Sequence, residues 1–276
     1  MWILLLLACA EPMCISVTEF AVLCGISIPE RDIFAECVAV LSALVAGRWL
    51  VTLVRARYAA PRIAIAASSA LTFATVAALL MDTELSKIIE TLATTAVMTW
   101  LGLEVVVHHG VTMRDFGFGR SAARREAGAL LPGLIFCAHR AATWVTTVGM
   151  AWLAYGLPAS LPVMREDQGA ALGWEGAKAF AVSNVIYTSA IEEILMVGAL
   201  CVLSQAARRP VWQIYAIGIA FRVMTHLYLG LPAIALAILG AASIFLYRRW
   251  GRIQPLVLNH LTFDLLVIFP IIPSLF

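Results

Sequence analysis

The chain has 276 residues, 62% of them hydrophobic and 13% charged, with a mean hydropathy of +0.92. A soluble domain carries roughly 45 to 50% apolar and 25% charged residues, so the composition excludes one and points to an integral membrane protein. A net charge of +2 gives no support to nucleic-acid binding. Long Ala, Leu, Val and Ile runs predict helices rather than the alternating strands of about ten residues found in an outer-membrane barrel.

The expected fold class is all-α, a multi-pass transmembrane helical bundle of about eight spans, between seven and nine. Crossing ~30 Å of hydrocarbon takes ~20 helical residues. Candidate segments lie at 1–28, 33–54, 63–81, 88–107, 128–156, 176–204, 212–230, 232–247 and 255–275. The first opens MWILLLLACAEPMC, which lacks the basic residue that precedes the apolar run of a signal peptide. It is expected as an uncleaved span, interrupted at Glu11-Pro12. In the fifth, His139 and Arg140 are expected to contact lipid headgroups. Glu36, Arg48 and Glu104 are expected to pair with one another or lie near the interfaces. The six cysteines form no C-x-x-C pair, so neither a disulfide framework nor a zinc finger follows.

Basic residues set the orientation. Twelve of the 19, Arg55, Arg57, Arg62, Arg114, Arg120, Arg124, Arg125, Arg208, Arg209, Arg248, Arg249 and Arg252, fall in alternate connections. The positive-inside rule places the loops 55–62, 108–127, 205–211 and 248–254 in the cytoplasm and the loop 157–176 outside. Residues 1–127 are expected as N-terminal transmembrane helices and 128–276 as the core that carries the chemistry.

Ionisable groups at membrane depth cost at least ~2.5 kcal/mol each and usually face a bundle interior or a wet cavity. Three late segments each contribute a pair: Glu192 with Glu193 in SAIEEILMVGAL, Arg222 with His226 in FRVMTHLYLG, and His260 with Asp264 in LNHLTFDLL. The last two pairs are i, i+4, so on a helix each shares a face. The glutamates are adjacent, ~100° apart on an α-helix, so one is expected to do chemistry while the other braces a neighbour. Counted at 1.5 Å per residue, Glu193, His226 and His260 lie ~16, ~21 and ~8 Å from the cytoplasmic edge. Meeting therefore requires a tilt or shifted boundaries. Two histidines and a glutamate from three segments form either a three-ligand metal site with an open position or a metal-free Glu/His pair that activates water.

These three motifs, EEILMVG, RVMTHLYLG and NHLTFD, in this order and 33 and 34 residues apart, resemble those of the CAAX prenyl protease and bacteriocin-processing (CPBP, or Abi) family of intramembrane proteases. MRDFGFGR at 113–120 resembles the short basic segment that often precedes the core. The resemblance implies that Glu192 and His226 position and activate the attacking water, with or without a divalent metal such as zinc. Glu192, His226 and His260 are the ligands in the metal case. Glu193 is implied as the supporting acid and His260 as the group that stabilises the oxyanion, helped by residue 264.

Two departures stand out. Val197 occupies the position where the family commonly has Arg, and Arg222 stands where it commonly has Phe, so Arg222 is expected to supply the missing cation to Glu193. Asp264 replaces a common Asn. As an anion it repels an oxyanion, so it acts only if protonated, if it orients His260, or if it joins a metal site.

The function implied is hydrolysis of a peptide bond in a lipidated or membrane-proximal peptide, with the bilayer and that peptide or lipidated protein as partners. A chain rich in Arg and Ala with two lysines suggests a bacterial cytoplasmic membrane. The alternatives are a proteolytically silent scaffold or chaperone, which Val197 and Asp264 favour, and a transporter, suggested only by polar groups in the membrane.

Overall fold

The structure, a computed structural model, describes residues 2–29, 31–59, 61–81, 83–118, 130–164 and 178–269. Arg120, Arg124, Arg125, Arg165, Trp174, most of the 157–176 loop and the end of the last candidate span lie outside the described residues.

Among the described residues the architecture is all helical. The helices are α1 (Trp2–Leu23), α2 (Arg31–Arg57), α3 (Arg62–Leu79), α4 (Glu84–His108), α5 (Leu130–Gly156), α6 (Lys178–Ala206), α7 (Val211–Met224), α8 (Leu236–Trp250) and α9 (Gln254–Ile268). Six segments are long and apolar enough to cross a membrane by length and composition, α8 counting from Leu231. Helices α7 and α9 are apolar but shorter.

The expected interruption at Glu11-Pro12 is absent: α1 runs through Pro12. Proline has no N–H and frees the carbonyl four residues back, which here is that of Ala8. The Tyr187 hydroxyl of α6 donates to it at 3.2 Å, so the unbroken helix keeps its acceptor satisfied.

The core is one apolar cluster that runs from Leu4, Leu5 and Ala8 of α1 through Leu101 and Val105 of α4 to Leu195, Leu200 and Ile244. Outward side chains such as Ile63, Phe73, Val148 and Trp152 are exposed, as suits surfaces facing lipid. His139 does not face headgroups as expected. It is buried, with Nε2 2.8 Å from Ser243 Oγ and Nδ1 2.8 Å from Asn259 Nδ2.

Glu104 pairs with neither Glu36 nor Arg48. Arg57 Nη1 donates to it at 2.8 Å, and Tyr58 and Trp100 donate to its other oxygen. Within the basic segment resembling the family's, Phe116 is fully buried and its carbonyl accepts the Tyr247 hydroxyl at 2.8 Å. Gly117, at φ +105°, lies beside the 251–253 connection, so two of the basic connections meet on one face.

Gly198 is what lets Phe116 seat: a Cβ there would fall 2.8 Å from Phe116 Cζ. Gly198→Val is expected to lower stability by ~1 to 3 kcal/mol through overpacking. The check is its thermal unfolding in detergent beside Gly198→Ala, which should be the milder change.

Candidate active site

Helix α6 changes pitch where its carboxylates lie. Lys178–Ser189 and Leu200–Ala206 are α-helical, and Ala190–Ala199 between them is π-helical. The wider π turn sets successive residues closer in angle than the ~100° of an α-helix. The adjacent glutamates, expected to diverge, therefore both reach one partner. Arg222, 1% exposed, donates from Nη2 to Glu193 Oε1 at 2.8 Å and from Nη1 to Glu192 Oε2. The expected pairing with Glu193 is present, and Glu192 shares it, because a guanidinium is a planar fork with donors for two carboxylates.

His226 is not on the helix that carries Arg222, contrary to the i, i+4 expectation. Helix α7 ends at Met224, and the chain turns through Leu227–Leu229 and Leu231–Ala235 before α8. The turn is held by the 162–164 strip: Leu231 N donates to Pro162 O and Met164 N to Leu229 O. Gly230, at φ +76°, leaves no room for a Cβ against the Pro162 carbonyl. His226 Nδ1 still lies 2.9 Å from the Arg222 carbonyl. A carbonyl only accepts, so Nδ1 carries the proton. Nε2 then turns toward Glu192 Oε1 at 3.5 Å, and Tyr228 stacks on the ring.

His260, on α9, places Nδ1 2.9 Å from Glu193 Oε1 and Nε2 3.3 Å from Asp264 Oδ2 and 3.8 Å from Glu192 Oε2. The depth mismatch expected for His260 disappears because α9 begins inside the protein. Ile253 and Leu256 are fully buried, so the helix end is not the membrane edge. The structure thus brings Glu192, Glu193, Arg222, His226, His260 and Asp264 into one cluster.

Further residues hold this cluster. Ser16 of α1 donates to the Thr225 carbonyl at 2.6 Å, fixing the turn beside His226, and Tyr187 ties α6 to α1 five residues before Glu192. Asn259 donates to Thr143 and faces His139, while Arg140 donates to Thr262 at 2.6 Å and to the Asn259 carbonyl. Together these lock α9 against α5. The sequence signals among them were His139 and Arg140, polar within an apolar run, Asn259 within NHLTFD, and Pro12, which leaves the Ala8 carbonyl in need of a donor.

Residues 174–266 match the family model described as type II CAAX prenyl endopeptidase Rce1-like. The match holds all three motifs, is consistent with the CPBP resemblance, and supports in general terms an intramembrane protease of the CAAX type. No curated protein and no solved structure matches the chain. Within the Rce1-like region the cation that Val197 does not provide comes from α7, through Arg222.

By spacing, three groups could hold a metal: candidate ligand atoms of Glu192, Glu193 and His260 lie within 4.8 Å of one another. His226, expected as a ligand, is replaced in this set by Glu193. Glu193 Oε2 is buried without a donor among the described residues, which leaves one ligand atom free. Against this, Arg222 donates to both carboxylates, and its charge cannot be lost. A divalent ion on the same two groups would face that fixed positive charge. With Arg222 in place, the residues do not fit a resident divalent ion.

Removing the guanidinium would leave two buried carboxylates uncompensated. Arg222→Met is expected to cost ~3 to 5 kcal/mol. Combined with Glu193→Gln, the loss should fall short of the sum of the singles by ~0.5 to 3 kcal/mol. Unfolding midpoints of the four proteins in one detergent measure this, and strict additivity would contradict the coupling.

Proposed function

We propose that the protein is an intramembrane endopeptidase that hydrolyses a peptide bond in a lipidated or membrane-proximal peptide by attack of a water activated without a metal. The observation that carries this reading is the facing of Glu192 Oε1 and His226 Nε2 at 3.5 Å. With Nδ1 held by the Arg222 carbonyl, both atoms are acceptors, and a water beside them can donate to either. Both residues line two cavities, so a substrate can reach them.

In this mechanism the water oxygen bonds to the carbonyl carbon as its proton passes to the Glu192–His226 pair, where His226 Nε2 is the free base. The carbonyl electrons move to oxygen, and the oxyanion meets the N–H at His260 Nε2. Collapse breaks the C–N bond, and the proton goes to the leaving amine. Glu193 holds Arg222 and His260 in place. Asp264, 3.3 Å from Nε2, orients the His260 ring and yields that donor to the oxyanion. Water attack inside a membrane cavity suits a scissile bond that a soluble protease cannot reach.

The silent-scaffold alternative rests on Val197 and Asp264; Arg222 answers the first by delivering a cation from α7, and Asp264 answers the second if it orients His260 as above. Reconstituted protein supplied with lipidated and membrane-anchored peptides tests the proposal. Glu192→Ala, His226→Ala and His260→Ala should each lower kcat by ~10²-fold or more, the range of a lost acid–base group. Chelator should leave wild-type turnover unchanged. Cleavage that persists in all three variants would overturn the assignment, and loss on chelation reversed by zinc would overturn the metal-free step.

A further inference from the structure

Two cavities meet at the site, and Thr188, Glu192, His226 and Tyr228 border both. The smaller, about 140 Å³, lies against α5 and α9 and is lined by Thr143, Thr146 and Thr147. Thr146 is 1% exposed, and its Oγ1 is buried without a partner among the described residues, so one wall holds a hydroxyl ready for a polar group of a ligand. The larger, about 350 Å³, extends the other way between α1, α4 and the first half of α6. Glu192 and His226 stand at the partition. A chain laid across it would place its scissile bond beside them, with one part in each chamber.

The larger chamber carries two acids that the hydrolytic step does not use, Glu11 of α1 and Glu90 of α4. They come from helices outside the Rce1-like match. Among the described residues no Lys, Arg or His forms an ion pair with either, and the hydrogen bond given to Glu90 is a long one from Thr94 at 3.5 Å. Glu11 and Glu90 are half-buried, and the carboxylates fully buried among the described residues each have a cation: Glu104 has Arg57, and Glu192 and Glu193 share Arg222. Two carboxylates that line one cavity with no cation of their own among the described residues match a cation that arrives with the ligand.

We propose that the larger chamber selects substrates bearing a cationic group, a lysine or arginine side chain or a free amine, a few residues to one side of the cleaved bond, with Glu11 and Glu90 as the specificity-determining residues. The smaller chamber takes the residue on the other side, with Thr146 Oγ1 meeting its polar atoms. This inference rests on the endopeptidase reading for the place of the scissile bond but not for the charge preference, which binding alone can read.

The test uses full-length protein in liposomes and membrane-anchored peptide pairs that differ only by lysine or norleucine at each position within about six residues of the bond. Wild type should prefer lysine at one position, on one side only, by about tenfold in both affinity and kcat/KM. The lysine-to-norleucine ratio should collapse toward one in Glu11→Gln/Glu90→Gln, acting through KM. In Glu90→Lys the preference should turn to a glutamate-bearing peptide. Binding of the same pairs by fluorescence anisotropy separates the two readings. Equal affinity for lysine and norleucine peptides overturns the charge selection whether or not anything is cleaved. A lysine preference in binding with no Glu192-dependent cleavage upholds the chamber and overturns the endopeptidase. A preference that survives the double Gln variant overturns the assignment to these two acids.

Discussion

A guanidinium cannot give up its charge, so burying Arg222 in a membrane bundle obliges the fold to bring carboxylates to it. Glu192 and Glu193 meet that requirement together, and the rest of the site follows. Two adjacent residues reach one fork where the helix that carries them widens, which is where α6 is π-helical. Glu193, held by Arg222, is in turn fixed as the acceptor for His260. The same arginine, through its backbone carbonyl, fixes which nitrogen of His226 carries the proton. One residue thus sets the charge balance, the aim of both glutamates and the tautomer of the histidine.

This arrangement bears on the two departures from the motif pattern that the chain resembles. Val197 and Arg222 answer each other: the cation that the pattern implies on α6 stands instead at the end of α7, within reach of the same two carboxylates. Arginine fits the new position because its several donors span two carboxylates and a long side chain can reach across a helix interface. Lysine, with a point charge, would serve one carboxylate better than two. The same guanidinium supports the metal-free reading proposed above, since a cation that balances Glu192 and Glu193 is already covalently part of the chain.

Much of this was legible in the amino-acid sequence. The ionisable pairs stood out because hydrocarbon makes them costly, and Arg222 had to answer for the missing arginine. The divergence expected of Glu192 and Glu193 failed because a π turn has no local sequence signature; it forms where tertiary ties favour it over an α turn. His226 left its helix for a similar reason. Val223, Met224 and Thr225 carry no stop signal, and only Gly230 and Pro232 hint at the turn that the 162–164 strip then fixes. The polar pair at His139 and Arg140 looked interfacial because nothing nearby in sequence could satisfy it; its partners, Ser243, Asn259 and Thr262, lie more than a hundred residues on.

The Rce1-like match leaves out α1, and yet that helix is tied to both sides of the site. Pro12 gives the Tyr187 hydroxyl an acceptor on α1, and Ser16 holds the Thr225 carbonyl next to His226. Each tie leads to one half of the proposed water-activating pair, Glu192 through α6 and His226 through its turn. Their 3.5 Å separation therefore depends on a helix that belongs to neither motif. Because α1 is also a wall of the larger chamber, a shift of α1 would change the gap between the two acceptors and the space offered to the substrate together. On the proposed reading, a helix in that position can vary in its cavity-facing residues, Glu11 among them, while Pro12 and Ser16 hold Glu192 and His226 in register. The proposed specificity can then change on α1 without moving the two acceptors.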